Sequence, residues 1–445
     1  MLNTSEYGQY GVFISWKGII SCFVTLEISS AVYMQAIVKH DNERDRYASA
    51  IESLTLIMCV VWFGIYYCIR GIWNERLGLT ISQMIAMFLV IWGNSVFGFW
   101  STDQRVEYKY KMLLVVTLLM AIFQPILCVF LISIFVNKVS GLVWGIAVSN
   151  LIIYVPLFIK HIIRGRVFFS RTIWKYVLGF AIPLVPHYLS SIVLNSSDRI
   201  MIQQLVGESE AGIYNLAYSI SICGTLINQA ILQTFSPWVY QKIKNKEFLD
   251  IPGISYTILV AIGLMNIVIV LVSPEIVRLF APSEYYEAIW VMPPITLSVL
   301  FMFMYNLFAC FEFYYEKKYY VSTATMIGAG LNIVLNYIFI HIFGYVAAGY
   351  TTLICYILFA IMHYYFMRKI CKKDVDGIKV YNSKTILLIS AVYLIAGFVA
   401  SMTYHNNTVR YLIIAIGIIV TIVFRKKLLC WVSVIMKVKK TNEEK

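Results

Sequence analysis

The chain has 445 residues, 60% of them hydrophobic and only 13% charged, with a mean hydropathy of +0.76. Soluble domains carry about 45–50% apolar and about 25% charged residues, so a soluble globular protein is excluded. Apolar runs reach about 20 residues without period-two alternation, which points to membrane-spanning helices and away from a barrel.

In chain order, the first eleven residues, MLNTSEYGQYG, hold no Lys or Arg and no apolar core, so no cleavable leader is expected there. About 13 spans follow, at 11–38, 48–70, 78–100, 112–136, 141–160, 175–206, 211–240, 252–274, 287–311, 321–343, 346–367, 384–404 and 409–425. The net charge is +13, but Lys and Arg concentrate in alternate loops, at 39–46, 105–111, 160–175, 242–246, 317–318 and 368–384, and in the tail 425–445. The opposite loops hold only Arg70, Arg76, Lys138, Arg278 and Arg410. The positive-inside rule then puts the basic loops and the C-terminus in the cytoplasm and Met1 outside. The basic balance is a topology signal, and no nucleic-acid partner is expected.

Every loop is short, the longest lying around 370–383, so no soluble domain is expected on either face. Polytopic enzymes that build polysaccharides commonly carry a large external loop or an acidic pair near the membrane surface, so this weighs against catalysis. The nine cysteines are scattered without CxxC, and the six histidines without HExxH or paired spacing. No GxxxxGK[ST] is present. No metal, cofactor or catalytic residue is expected, and any energy must come from an ion gradient, the membrane potential or substrate turnover.

An internal repeat is visible. Ser5-Glu6-x-Gly8-x-Tyr10 recurs as Ser209-Glu210-x-Gly212-x-Tyr214, and at the same offset Gly145 falls on Gly349. The expected architecture is all-α and integral to the membrane. Two pseudo-symmetric six-helix bundles, the first lacking its first helix, surround a central cavity, and two C-terminal helices are appended. The boundaries are 1–165, 172–370 and 384–425, with a basic cytoplasmic tail at 426–445. In that tail, Arg425–Lys427 and Lys437–Lys440 flank an apolar LLCWVSVIM, which reads as an amphipathic segment on the inner leaflet. The first repeat holds five spans where the second holds six. Either the recorded start is internal to a longer reading frame or the span was lost. The first is favoured, and predicts an in-frame apolar span upstream of Met1.

The most informative stretch is His187 to Tyr214. His187, Ser191, Asn195, Arg199 and Gln203 step by four, which on a helix makes one polar stripe. With Asp198 beside it, the stripe belongs against protein or a water-filled cavity, not lipid. The run KYVLGFAIPLVPHYLSSIVLNSSDRIMIQQLVGESEAGIYNLAYSIS, the N-terminal SEYGQYGVF and the later GAGLNIVLNYIFIHIFGYVAAGYTT resemble the bacterial oligosaccharide flippases of the polysaccharide transporter family. That family sits in the multidrug/oligosaccharidyl-lipid/polysaccharide exporter superfamily, beside multidrug exporters and the lipid II flippase. The resemblance covers nearly the whole chain. It implies translocation of undecaprenyl-diphosphate-linked oligosaccharide repeat units across the bacterial cytoplasmic membrane, for O-antigen, capsule or a similar polymer. The implied partners are the lipid-linked oligosaccharide, membrane lipid, and a polysaccharide polymerase with its chain-length machinery. The alternatives are an ion-coupled drug or metabolite exporter of the same superfamily and, further off, a membrane glycosyltransferase or polymerase.

Such a task needs a wet cavity, cations for phosphate, and amides, hydroxyls or aromatics for sugar. Arg199 and Lys17 are the intramembrane cations; guanidinium forks onto phosphate. Against this, Arg199 could form a structural ion pair and Lys17 could snorkel. Glu27 could be an ion-linked carboxylate or a polar tie between helices. Tyr218, Thr225 and Asn228 form one further polar face, and Asn332 and Asn336 another, suited to sugar hydroxyls or to helix–helix adhesion. Pro183 and Pro186 predict a bend in the helix that bears Arg199.

Overall fold

The computed structural model describes residues 2–29, 32–107, 109–375 and 377–423. Among them every regular element is a helix. Packing divides the chain between Ile200 and Met201 into two compact units. The sequence repeat led to an expected boundary at 165/172, whereas packing places residues 172–200 with the first unit.

The first unit contains α1 (Thr4–Thr25), α2 (Val32–Lys39), α3 (Arg44–Cys68), α4 (Arg70–Leu77), α5 (Ile81–Val106), α6 (Tyr110–Ile134), α7 (Lys138–Gly165), α8 (Arg171–Ala181) and most of α9 (Val185–Leu205). The repeated Ser-Glu motif opens α1: Glu6 completes a capping box with Asn3, each side chain accepting the other's backbone N–H at 2.8 Å. Phe13, Met87 and Val143 anchor one apolar cluster. Tyr33, Ile51, Phe99 and Val177 anchor a second, which draws α8 onto the unit. Gly145 allows α6 and α7 to touch: a Cβ there would lie 2.6 Å from Cys128 Cα.

The second unit continues with α10 (Glu208–Ser221), α11 (Gly224–Lys244), α12 (Ile251–Phe280), α13 (Ala288–Tyr314), α14 (Lys318–Phe343), α15 (Ala347–Asp374), α16 (Ser383–Met402) and α17 (Asn407–Val423). Its centre is α13, almost wholly buried. Gly349, the repeat partner of Gly145, again sits at a close helix contact, where a Cβ would meet Pro294 Cγ at 3.0 Å. At the far end Arg410 of α17, 1% exposed, pairs with Glu275 of α12.

Ten helical stretches among the described residues are long and apolar enough to cross a membrane. The chain is a multi-pass membrane protein, and the three further spans expected from sequence have identifiable fates. The 11–38 span is two helices, α1 and α2. Thr25 closes the first by turning its hydroxyl back to Ser21 O at 2.9 Å and accepting from Glu27 N at 3.3 Å. Leu26 and Glu27 then take left-handed backbone conformations, both with φ 49°. The 211–240 span is likewise α10 and α11, joined by a tightened turn in which Thr225 N bonds Ile222 O at 2.8 Å. The last, α17, has 17 described residues. Within the 175–206 span a 3₁₀ turn at Ile182–Leu184 carries Pro183 and separates α8 from α9, the bend expected from the prolines. The broken α1–α2 and α10–α11 stretches are those opened by the repeated motif.

The cysteines make no disulfide among the described residues; Cys68 and Cys223 are exposed and the other described ones buried. The expected amphipathic tail segment at 425–440 lies outside the described residues.

Candidate functional site

On α9 the predicted stripe is chained along its own helix. Asn195 Nδ2 donates to Ser191 O at 2.8 Å and Arg199 Nη1 to Asn195 O at 3.3 Å. Asp198 and Arg199 are 1% and 8% exposed, so both belong to the protein interior. His187 Nδ1 is buried with no hydrogen-bond partner among the described residues. Beyond the boundary, Gln203 Nε2 reaches Glu208 Oε1 at 3.5 Å.

The same unit lays α1 against the first half of α9. A Cβ at Gly18 would meet Ile192 at 3.2 Å, and Cys22 Sγ lies 3.8 Å from Val185 O. Lys17 and Ser21 therefore share this neighbourhood. The break after α1 folds Glu27 back, so that Ser21 Oγ donates to its Oε1 at 3.3 Å, and Glu27 comes within electrostatic reach of Lys17 and of Tyr188 on α9. Two sequence-distant groups of candidates, Lys17 with Glu27 and the stripe from His187 to Arg199, thus stand on adjacent helices.

The candidates of the second unit are spent differently. Tyr218 is 6% exposed, and Thr225 donates to Ile222 O at 2.6 Å within the α10–α11 turn. Asn228 Nδ2 donates to Val299 O of α13 at 2.9 Å. Asn336 Nδ2 donates to Asn332 Oδ1 at 3.1 Å, and Thr351 of α15 donates to Asn336 Oδ1. Both asparagines are 0% exposed. These bonds tie α14 to α15 and α11 to α13 inside the unit.

The chain matches the sequence model of the family described as "Polysaccharide biosynthesis protein" over residues 1–241. It belongs to that family. The segment so matched contains α1, α9 and every candidate residue up to Asn228. A relative, Lsg locus putative protein 1 of Haemophilus influenzae, is 26% identical over 160 residues, 34% of this chain and 38% of the relative. That match therefore spans well under half of the relative's length. Among solved structures, lipid II flippase MurJ in an inward closed conformation is similar with a TM-score of 0.66 at 14% identity, over 96% of this chain and 98% of that one. An inward-facing multidrug resistance MATE family transporter of the MOP superfamily also gives 0.66 at 14% identity, over 83% and 94%. A MOP superfamily transporter from Pyrococcus furiosus gives 0.56 at 16%, over 82% and 88%. At these identities the likeness establishes the fold, and this family member has that of the MOP superfamily transporters.

Sequence reasoning missed a set of buried ionisable residues in the family member. In the first unit His161 of α7 bridges two carboxylates: Nδ1 lies 2.5 Å from Glu52 Oε1 of α3, and Nε2 lies 3.4 Å from Asp103 Oδ2 of α5. Tyr33 of α2 donates to both Asp103 oxygens at 2.9 Å. In the second unit His363 of α15 pairs with Glu312 of α13, Nδ1 to Oε1, at 2.8 Å. A local signal existed: Asp103-x₃-Glu107-x-Lys109 recurs as Glu312-x₃-Glu316-x-Lys318, so α5 and α13 carry the acid at matching positions.

Proposed function

We propose that the chain is a flippase that moves undecaprenyl-diphosphate-linked oligosaccharide repeat units from the inner to the outer leaflet of the bacterial cytoplasmic membrane, its C-terminus cytoplasmic. Family membership supplies the process. The observation that carries the substrate class is the polar face of α1 and α9, where Lys17, Ser21, His187, Ser191, Asn195 and Arg199 stand on touching helices. Cations there suit a diphosphate, and the hydroxyls, amide and imidazole suit sugar. On this reading the protein transports without catalysing a covalent step, and hands its cargo to a polymerase on the outer face. The buried Asn332 and Asn336 then shape the second unit and do not touch sugar.

The test is deletion and complementation in the native host. Loss of the gene should abolish surface polymer and accumulate undecaprenyl-diphosphate repeat units shielded from a membrane-impermeant periodate label. Complementation should restore both. Unchanged polymer, with altered sensitivity to cationic drugs, would overturn the reading in favour of a drug exporter.

A further inference from the structure

The two units place an acid–histidine pair between corresponding helices, but with different charge. In the second unit one acid, Glu312, meets one imidazole, His363, at 0% and 1% exposure. Sharing a single proton leaves that pair neutral. In the first unit a second acid, Glu52, joins Asp103 around His161, at 1%, 7% and 6% exposure. With the imidazole doubly protonated, both nitrogen contacts are served and the cluster still carries one negative charge. One more proton brings it to zero, the state that burial favours. A seat exists: Glu52 Oε2 is buried with no hydrogen-bond partner among the described residues.

A polar cavity lies about one helical turn beyond Asp103 and His161. One turn beyond Asp103, just past the end of α5, comes Glu107, and one turn beyond His161 on α7 comes Arg164. Glu107 and Arg164, with Glu43, Arg44 and Asp45, line a polar cavity of about 450 Å³ at the basic-loop end of the unit. Glu107 is held ionised: its hydrogen bond from Lys109 at 2.6 Å, opposed by partial burial and reinforced by Arg44, keeps its carboxyl below the usual range. Arg44 lies 3.6 Å from Glu107 and within electrostatic reach of Asp103, as Arg164 is of His161. From α2 the cluster meets Tyr33, and at the end of that helix Lys39 and His40 face Tyr176 of α8. From α8, Trp174 Nε1 donates to Ala50 O at 2.7 Å.

We propose that Glu52, His161 and Asp103 form a proton-binding site, loaded from the cytoplasmic side through the polar cavity beside it. The proton leaves water in the cavity and forms an O–H bond on the Glu52 carboxylate, with His161 hydrogen-bonded to Glu52 through Nδ1 and facing Asp103 with Nε2 at 3.4 Å. That this proton energises transport rests on the flippase reading; proton binding itself does not, and the test below reads it without transport.

Purified full-length protein in detergent is treated with dicyclohexylcarbodiimide, which modifies protonated carboxyls in apolar surroundings, at steps from about pH 5 to about pH 8, the range of histidine-linked sites. Modified residues are located by mass spectrometry. Glu52 should be labelled at low pH, with labelling falling about tenfold per pH unit above the midpoint. The wild-type melting temperature should fall as the pH rises and the stabilising proton is lost. Glu52→Gln, whose His161–Asp103 pair is already balanced, should lose that dependence. Absent or pH-independent labelling of both Glu52 and Asp103 would overturn the proposal whether or not the variant folds. So would a folded Glu52→Gln with the wild-type melting profile.

Discussion

Glu312 and His363 meet 2.8 Å apart in the interior of the second unit, 0% and 1% exposed. Removing one member of such a pair leaves the other charged and buried, which costs about 3–5 kcal/mol, whereas an isosteric neutral partner costs less. His363→Ala should therefore sharply reduce the monodisperse fraction recovered from membranes. Glu312→Gln should fold with a smaller drop in melting temperature. Equal behaviour of the two variants would show that the pair is not charged.

The repeat glycines make a packing prediction. A methyl at Gly145 would run into the Cα of Cys128 at 2.6 Å, backbone that cannot step aside. Overpacking of this kind costs about 1–3 kcal/mol. Gly145→Ala should lower the melting temperature, whereas Gly179→Ala, on α8 with nothing within 4 Å, should leave it unchanged or raised. The two variants compared side by side in one detergent provide the check.

The topology is open to direct test. A reporter fused after Lys445 should read cytoplasmic, and one inserted at 281–287, beyond the end of α12, should read external. The same side for both would mean an even number of crossings between them, against the five expected, and would undo the span count.

How much of this was legible in the sequence depended on distance along the chain. The α9 stripe could be read because its members recur every four residues, and Pro183 marked its bend for a local reason. The break after Thr25 was hidden, because TLEISS keeps an apolar average and only Leu26 and Glu27 in left-handed conformations reveal it. Of the Glu52–His161–Asp103 bridge only Asp103 carried a local signal, the pattern it shares with Glu312; Glu52 and His161 sit on two other helices far apart in sequence, without motif spacing. Asn332 and Asn336 showed a helical face, but which neighbour that face meets, Thr351, is decided by tertiary packing.

The last prediction concerns the cations of the α1–α9 face. If Lys17 and Arg199 hold a diphosphate, charge matters more than shape, and each charge-assisted contact is worth about 1.5–3 kcal/mol, or about 10- to 150-fold in binding. Arg199→Lys should keep part of the polymer output, while Arg199→Ala and Arg199→Glu should lose most of it at normal membrane abundance. Arg199 is 8% exposed next to Asp198 at 1%, so a purely structural role predicts a different pattern. In that case Arg199→Ala and Asp198→Ala would both lower the amount of folded protein, and output would follow abundance. Measuring abundance and surface polymer in the same cells separates the two. Full output at normal abundance from the Lys17→Ala, Arg199→Ala double variant would end the phosphate-binding role of this face.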